Sequence, residues 1–235
     1  MARGTQFLQL VTMLRAELRR SLNPSVGVED VPELQRLIVR QYEKLVLDHD
    51  WPHLCKLFTP IMLNAGQRYY DMPAGLDYER VKDVALYYSA IPSYLERGIT
   101  FQEYAFSNPD LGSRSDPALK WDVRYGDGVQ ELIEIWPVPA GTGVSKVQFF
   151  GYITVPRLVN DQDPCLLDDN LVVLFAAAEA LTGQKSADAQ IKAAEAMALL
   201  GKLRGRSQNH SRVVAIGQGE NVRTVSPRAI VRIRG

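Results

Sequence analysis

The segment that most constrains how this chain folds is residues 171–181, whose side chains are apolar on nearly every side of a predicted helix. A helix without a polar face must be buried, so other elements have to surround it. Asp168 and Asp169 begin this helix, because carboxylates are favoured at the positive N-terminal end of a helix dipole, and Gly183 ends it. We therefore expect residues 159–204 to form C-terminal helices that pack on other helices of the chain.

Apolar residues at helical spacing also predict two helices within residues 1–54. The first covers residues 7–22. The second begins at Asp30, where Glu33 completes a capping box. Pro52 ends the second helix, because proline lacks an amide hydrogen and its ring clashes with the preceding turn.

The middle of the chain, residues 55–158, is rich in strand patterns. The predicted elements are a hairpin of residues 57–63 and 68–72, a strand at residues 81–88, an exposed loop within residues 101–119, and a hairpin of residues 131–138 and 145–155. The predicted fold class is α+β. The N- and C-terminal helices form a bundle, with a mid-chain antiparallel β-sheet lobe and an extended C-terminal arm.

The net charge of zero conceals a strong asymmetry along the chain. Residues 201–235 contain eight basic residues and one acid, a net charge of +7, so residues 1–200 carry −7. A basic terminus with too little apolar content for a core indicates an interaction arm, here residues 205–235. We predict that the arm binds a partner by strand addition and arginine–carboxylate pairs, through Arg206, Arg212, Val222, Arg223, Val225, Arg228, Ile230, Arg232, Ile233 and Arg234.

Few residues are spaced for catalysis or metal binding. His49 and His53 have i, i+4 spacing, but a proline between them breaks the helix that would align them. Cys55 and Cys165 lie far apart with no CxxC spacing, which favours buried free thiols. The aspartates of residues 161–169 fit helix capping and solvation better than a calcium site. We predict no catalytic residues, no metal and no cofactor.

Several short motifs follow one another along residues 30–204. They are Asp50-Trp51-Pro52-His53-Leu54, then Ala65-Gly66 followed by Tyr70 and Met72-Pro73, then Trp136-Pro137-Val138-Pro139, an aspartate-rich loop at residues 160–168, and alanine-rich helices at residues 172–181 and 187–196. This order resembles the head-to-tail adaptor proteins of podoviruses and related siphoviruses, also called gateway or upper tail tubular proteins.

The resemblance implies a non-enzymatic structural protein of the virion. The first residues lack the apolar stretch of a signal peptide, which favours synthesis in the host cytoplasm. The resemblance also implies a homo-oligomeric ring, commonly of twelve copies, with the portal protein above and a tail tube or nozzle protein below. Genome DNA would pass through the lumen without sequence-specific binding. An acidic body suits such a channel, because lysines and arginines lining it would retard the phosphate backbone. The arm would then meet the portal or a neighbouring subunit.

Two other function classes fit parts of the sequence. A DNA-binding protein could use the basic tail, but the acidic residues of the second helix oppose contacts with a phosphate backbone. An enzyme of cell-wall or nucleic-acid processing would need a catalytic constellation, which we do not find in the sequence. No apolar run approaches the roughly 20 residues that cross a bilayer, so we expect no membrane partner.

Overall fold

The computed structural model describes residues 3–23, 26–89, 91–107, 111–125 and 131–207. Its fold is α+β, as predicted. The chain divides into two compact units, one of Met1–Asp48 with Leu158–Gly235 and the other of His49–Arg157. In the described residues, no helix has both the length and the apolar character that crossing a membrane requires.

The helices and strands follow one another in a simple order. The helices are α1 (Phe7–Glu17), α2 (Val31–Leu47), α3 (Phe101–Phe106), α4 (Asp169–Gly183) and α5 (Asp188–Ser207). The strands are β1 (Cys55–Leu57), β2 (Ile61–Met62), β3 (Tyr69–Asp71), β4 (Leu76–Tyr88), β5 (Ile91–Tyr94), β6 (Glu96–Arg97), β7 (Lys120–Tyr125), β8 (Glu131–Trp136) and β9 (Ser145–Ile153).

Helix α4 is enclosed within the first unit. It contacts α1, α2 and α5, and its residues Leu171, Val172, Ala176 and Ala177 are fully buried. Burying one leucine or valine side chain contributes about 1.5–3 kcal/mol, so this helix supplies a large share of the unit's hydrophobic stabilisation. The burial predicted from its apolar sequence is confirmed.

The chain before α1 is hydrogen-bonded to the aspartate-rich loop before α4. Cys165 N–H donates to the carbonyl of Thr5 at 2.9 Å, and the Thr5 hydroxyl donates to Asp169 Oδ2 at 2.5 Å. Asp168 caps α4 by accepting the Leu171 N–H at 3.2 Å. The capping role predicted for Asp168 is confirmed, and the loop also holds the N-terminal segment.

Helix α1 ends at Glu17, so the predicted extension to residue 22 is wrong. Arg19 has φ +55°; its N–H donates to the Ala16 carbonyl, and Arg20 N–H donates to the Arg15 carbonyl. These two bonds form a Schellman motif, in which a left-handed residue closes the last turn. The apolar residues keep helical spacing as far as Leu22, but the helical backbone ends at Glu17.

Replacing Arg19 by glycine should stabilise the protein. A left-handed conformation costs an L-residue about 1–2 kcal/mol, and glycine removes that cost while losing more chain entropy, so we expect a gain of about 0.5–1 kcal/mol. Urea denaturation measures the difference. The matched control is Arg36→Gly in the exposed face of α2, which should lower stability by about 1 kcal/mol. A loss of stability in Arg19→Gly would contradict the left-handed conformation of residue 19.

Helix α2 departs from its prediction at both ends. Asp30 makes no side-chain capping bond, and its carboxylate instead pairs with Arg20 at 2.8 Å, so the predicted capping box is wrong. The helix ends at Leu47 rather than at Pro52. Pro52 begins the short 3-10 turn Pro52–Leu54, a position where a missing amide hydrogen leaves no bond unmade.

The buried carboxyl of Asp169 should make stability depend on pH. Burial raises its pKa, so the folded chain holds this proton more tightly than the unfolded chain. Stability from this group is therefore greatest at low pH and is lost as pH rises through the raised pKa. In urea titrations at several pH values, the stability of Asp169→Asn relative to wild type should therefore increase as pH rises above the ordinary aspartate pKa.

Asp163 is a control, because its pKa is shifted in the opposite direction to that of Asp169. Its carboxylate accepts the N–H groups of Asn160 and Val159 at 2.7 Å, and these bonds lower its pKa. Stability from Asp163 is therefore present above the ordinary aspartate pKa and lost as pH falls. The effects of Asp169→Asn and Asp163→Asn on the free energy of unfolding should therefore change in opposite directions with pH. A change in the same direction would contradict the raised pKa of Asp169.

The second unit contains two sheets that share one core. The first has the strand order β1-β9-β4-β5, with β2 also paired to β9, and the second has the order β3-β8-β7-β6. Inward side chains of both sheets form one cluster, in which the Trp121 and Phe149 ring centroids lie 5.3 Å apart. The outer faces of the two sheets therefore lie on opposite sides of this core.

Both predicted hairpins are wrong, although strands exist in those segments. Strands β1 and β2 pair with β9, whereas β3 pairs with β8, and β8 and β9 belong to different sheets. The loop after β8 bonds to other loops: Gly141 N–H donates to Asp116 and Pro139 accepts the Gly66 N–H. Its turn residues therefore reverse the chain without keeping both strands in one ladder.

Strand β5 is the last strand of the first sheet. Leu95 N–H, one residue beyond its end, donates to the Val84 carbonyl of β4 at 2.9 Å. Because backbone groups alternate in direction along a strand, the backbone of Pro92 faces away from β4. The free edge therefore has a proline at an outward position.

Candidate interaction surface

Strand β8 of the second unit contains a charged residue that is completely buried, Glu134. Glu134 is 0% exposed. Its Oε1 accepts Arg68 Nε at 2.6 Å, and its Oε2 accepts Tyr104 Oη at 2.6 Å and Arg124 Nε at 3.1 Å. A buried charge is tolerated only when opposite charges and donors surround it, and this one has three donors.

Strand alternation explains how this cluster forms. Ile133 and Ile135 of β8 point into the shared core, so Glu134 and Trp136 between and after them lie on the outer face of the second sheet. Helix α3 covers that face: the Tyr104 ring meets Trp136 edge-on, with centroids 4.9 Å apart. Burial and the Glu134 carboxylate raise the pKa of Tyr104, so its hydroxyl remains a donor.

The N-terminal end of α3 is fixed by polar contacts as well. Thr100 N–H donates to Glu103 Oε2 at 2.7 Å, and Lys120 Nζ lies 2.8 Å from Glu103 Oε1. The lysine and the Thr100 backbone lower the pKa of Glu103 to about 2. A helix of six residues is too short to be stable alone, so these contacts and the Glu134 cluster hold it.

Exposed apolar side chains lie at both ends of this helix and just beyond it. Phe101 is 85% exposed and Phe106 92% exposed, and Leu111, shortly after the helix, is 85% exposed. We call these three residues the α3 surface. Phe101 and Phe106 project to different sides of the short helix, so each is a separate exposed apolar side chain on a firmly held element, where contacts with a protein partner are favoured.

The sequence indicated only an exposed loop within residues 101–119, so it did not predict helix α3 or its exposed residues. A signal was present: Thr100 and Glu103 have the spacing of a capping box, in which a threonine precedes an acidic residue by three positions. The Glu134 cluster had a weaker signal, a charged residue within an otherwise apolar strand. Its partners could not be inferred, because they come from distant parts of the chain.

Removing the Tyr104 hydroxyl should loosen α3. Tyr104→Phe retains the ring contact with Trp136 but deletes a hydrogen bond to a buried carboxylate, which costs about 1.5–3 kcal/mol. Urea denaturation and the rate of proteolysis near α3 measure the effect. Tyr94→Phe, at an exposed tyrosine of β5, is the control and should change neither; equal behaviour of the two variants would contradict the role of the cluster.

Two of the sequence motifs meet at one end of the β-rich unit. Tyr70 is buried, and its hydroxyl accepts the Asn64 N–H at 3.0 Å. Gly66 has φ +76°, and a Cβ at this position would lie 2.7 Å from Arg114 Cζ; its N–H donates to the Pro139 carbonyl at 2.9 Å. The Ala-Gly-x-x-x-Tyr turn and the Pro-x-Pro segment are thus joined directly.

The segment around Trp51 has a structural role, and its two histidines pack on the tryptophan ring. Arg80 Nη2 donates to the His49 carbonyl at 3.0 Å and to Asp50 Oδ1 at 2.8 Å. The buried Trp51 ring has His49 and His53 at centroid distances of 4.7 and 6.1 Å. Among the described residues, no group of three histidine, cysteine or acidic side chains is placed to hold a metal ion.

The two cysteines are both free. Cys165 is buried, as predicted, and burial raises the pKa of its thiol to about 12. Cys55 is half-buried, so the burial predicted for it is only partial. A thiol with a raised pKa is a poor nucleophile, which gives Cys165 a packing role.

The residues predicted to bind a partner lie mostly outside the described part of the chain. Only Arg206 is described; it is exposed in the last turn of α5, which extends to Ser207 and so beyond the predicted helical end at residue 204. The other nine residues are outside the described ranges. Their binding role stays a prediction.

The comparisons with known proteins agree with the order of motifs. The family model described as SU10 adaptor protein matches residues 5–218, a range that includes the whole of the second compact unit, most of the first and all the motifs above. No curated protein matches the chain.

Proposed function

The chain belongs to the SU10 adaptor protein family, and from this premise we propose that it is the head-to-tail adaptor of a tailed phage, joining the portal to the tail. The observation that carries the proposal is the family match over residues 5–218. The protein is a structural component of the virion in this proposal. Its chemistry is binding rather than catalysis.

The proposed assembly is a homo-oligomeric ring, commonly of twelve copies in such proteins. Its upper face binds the portal, its lower face binds a tail tube or nozzle protein, and genome DNA passes through the lumen without sequence-specific contacts. Two features of the chain support this arrangement. The α3 surface offers exposed apolar side chains for a protein partner, and the charge of −7 over residues 1–200 favours a lumen that does not retain DNA.

We further propose four functional segments: N-terminal helices in residues 1–54, a β-rich lobe in residues 55–158, C-terminal helices in residues 159–204 that bundle with the first, and the basic arm. The contacts of α4 with α1 and α2 support the bundle. The arm begins after Ser207, where α5 ends. It docks on the portal or on a neighbouring adaptor subunit.

Truncation after Ser207 tests the arm. The truncated chain should fold with an unchanged thermal midpoint, because α4 and its neighbours end before the cut, but it should bind portal-bearing capsids at least tenfold more weakly. Co-sedimentation with capsids that lack adaptor measures this binding.

Charge reversal of Arg223, Arg228, Arg232 and Arg234 should weaken attachment less than truncation, because it spares the apolar strand contacts. Unchanged attachment of the truncated chain would refute the arm. Absence of any attachment by the full chain would refute the adaptor function itself.

A further inference from the structure

The first unit contains a cavity between the end of α1 and the short turn Val28–Asp30 that precedes α2. It is lined by Arg15, Arg20, Ser21, Val26, Gly27 and Asp30. Its volume is about 280 Å³, just below the roughly 300–1,000 Å³ of a pocket for a drug-sized ligand. The cavity therefore has room for one side chain or for a small ion.

Arg15 places a buried positive charge in the wall of this cavity. The residue is 7% exposed and is the one basic residue that is buried among those the structure describes. Its Nη2 donates to the Gly27 carbonyl at 2.8 Å. Within the described ranges, no carboxylate of the chain forms an ion pair with Arg15. A buried cation without a counter-ion is costly, so this charge requires an explanation.

The end of α1 compensates the charge of Arg15 only in part. Arg15 lies in the last turn of the helix, where the free carbonyl groups together carry about half a negative elementary charge. About half of the positive charge is therefore left uncompensated. The Gly27 carbonyl does not depend on Arg15 either, because it also accepts the Asp30 N–H at 3.2 Å.

The other charged groups of the cavity determine which anion fits. Arg20 and Asp30 pair at 2.8 Å, so two arginines and one aspartate give the lining a net charge of +1. A monovalent anion neutralises this charge, whereas a phosphate dianion would leave excess negative charge beside Asp30. A guanidinium has five N–H donors, of which Gly27 uses one, so a bidentate pair with a carboxylate is still available.

We propose that this cavity is a carboxylate-binding site in which the Arg15 guanidinium holds the ligand. Ser21 Oγ accepts the Asn23 N–H at 3.2 Å, which leaves the hydroxyl hydrogen to be donated to the same ligand. The carboxylate can come from a free small molecule or from an acidic side chain of another protein, because both present the same group. The site is separate from the arm and from the α3 surface.

Acetate is the probe for a free carboxylate. When about 100 mM acetate replaces chloride at constant ionic strength and neutral pH, the thermal midpoint of the full chain should rise by about 3 °C, given a dissociation constant on the order of 10 mM for one bidentate pair. Acetamide, which is neutral, and inorganic phosphate should each raise the midpoint less. A larger rise with phosphate than with acetate would overturn the assignment to a carboxylate.

Arg15→Met removes the charge while it keeps an unbranched chain in the helix. This variant should lose the acetate-dependent rise in the midpoint, because the guanidinium is the group that holds the ligand. The matched control is Arg36→Met, at an exposed arginine of α2, which should retain the whole rise. A rise of wild-type size in Arg15→Met would refute the site.

Ser21→Asp tests the site with Arg15 in place, which also covers a failure of Arg15→Met to fold. The substitution puts a carboxylate of the chain itself at the cavity wall, so it should raise the midpoint in chloride and diminish the further rise in acetate. Ser21→Asn is the neutral control of equal size and should do neither. If the two variants melt alike in both solutions, the cavity does not favour a carboxylate and the proposal is wrong.

Portal-bearing capsids test the second source of the carboxylate, and this measurement alone rests on the proposed adaptor function. If an acidic side chain of a partner occupies the cavity, Arg15→Met should bind these capsids about tenfold more weakly, whereas Arg36→Met should bind like wild type. Equal binding of both variants, together with an Arg15-dependent acetate effect, assigns the site to a free carboxylate.

The outcomes separate this site from the adaptor function. If neither the acetate effect nor capsid binding depends on Arg15, the carboxylate site does not exist and the adaptor function stands. If wild type does not attach to the capsids at all, the proposed function fails, and the acetate measurements with Arg15→Met and Ser21→Asp still decide whether the site exists.

Discussion

The charge of Glu134, enclosed on the outer side of a sheet, organises much of the β-rich unit. A carboxylate removed from water must be compensated by donors, and here the donors come from three different parts of the chain: Arg68 before β3, Arg124 in β7 and Tyr104 in α3. Removing one member would leave the others with an uncompensated buried charge. The strand register and the position of α3 are therefore specified together, because only one arrangement satisfies every donor.

Such a cluster contributes more to specificity than to raw stability. Aliphatic residues in the same positions would hold a helix on a sheet, but they would allow it to slide or rotate, since apolar contacts have no direction. Hydrogen bonds of 2.6 Å to a single carboxylate have a direction and a length. The cluster therefore fixes the orientation of α3, and any contact made through it would lose less entropy than one through a mobile helix.

The sequence alone predicted most of the elements but not their pairing. Helical spacing predicts α1 and α2, because a buried helix face repeats every three or four residues, and an all-round apolar run predicts α4. Strand patterns predict β8 and β9, but the turn between them wrongly predicts that the two strands pair as a hairpin. A turn reports only that the chain reverses; whether two strands share a ladder depends on side chains more than 60 residues away, such as Tyr70 of β3 opposite Ile133 of β8. The α3 surface was missed for a related reason, since exposure is a property of the folded surroundings.

The outward proline of β5 limits how this protein can meet others. A terminal strand with apolar side chains such as Tyr94 would otherwise template the strands of further molecules, and such backbone ladders extend without a stopping point and become aggregates. Pro92 cannot donate to a neighbouring strand, so open-ended growth from this edge is disfavoured. At this edge, contact with another molecule is therefore limited to side-chain packing, because the backbone cannot extend the ladder past Pro92.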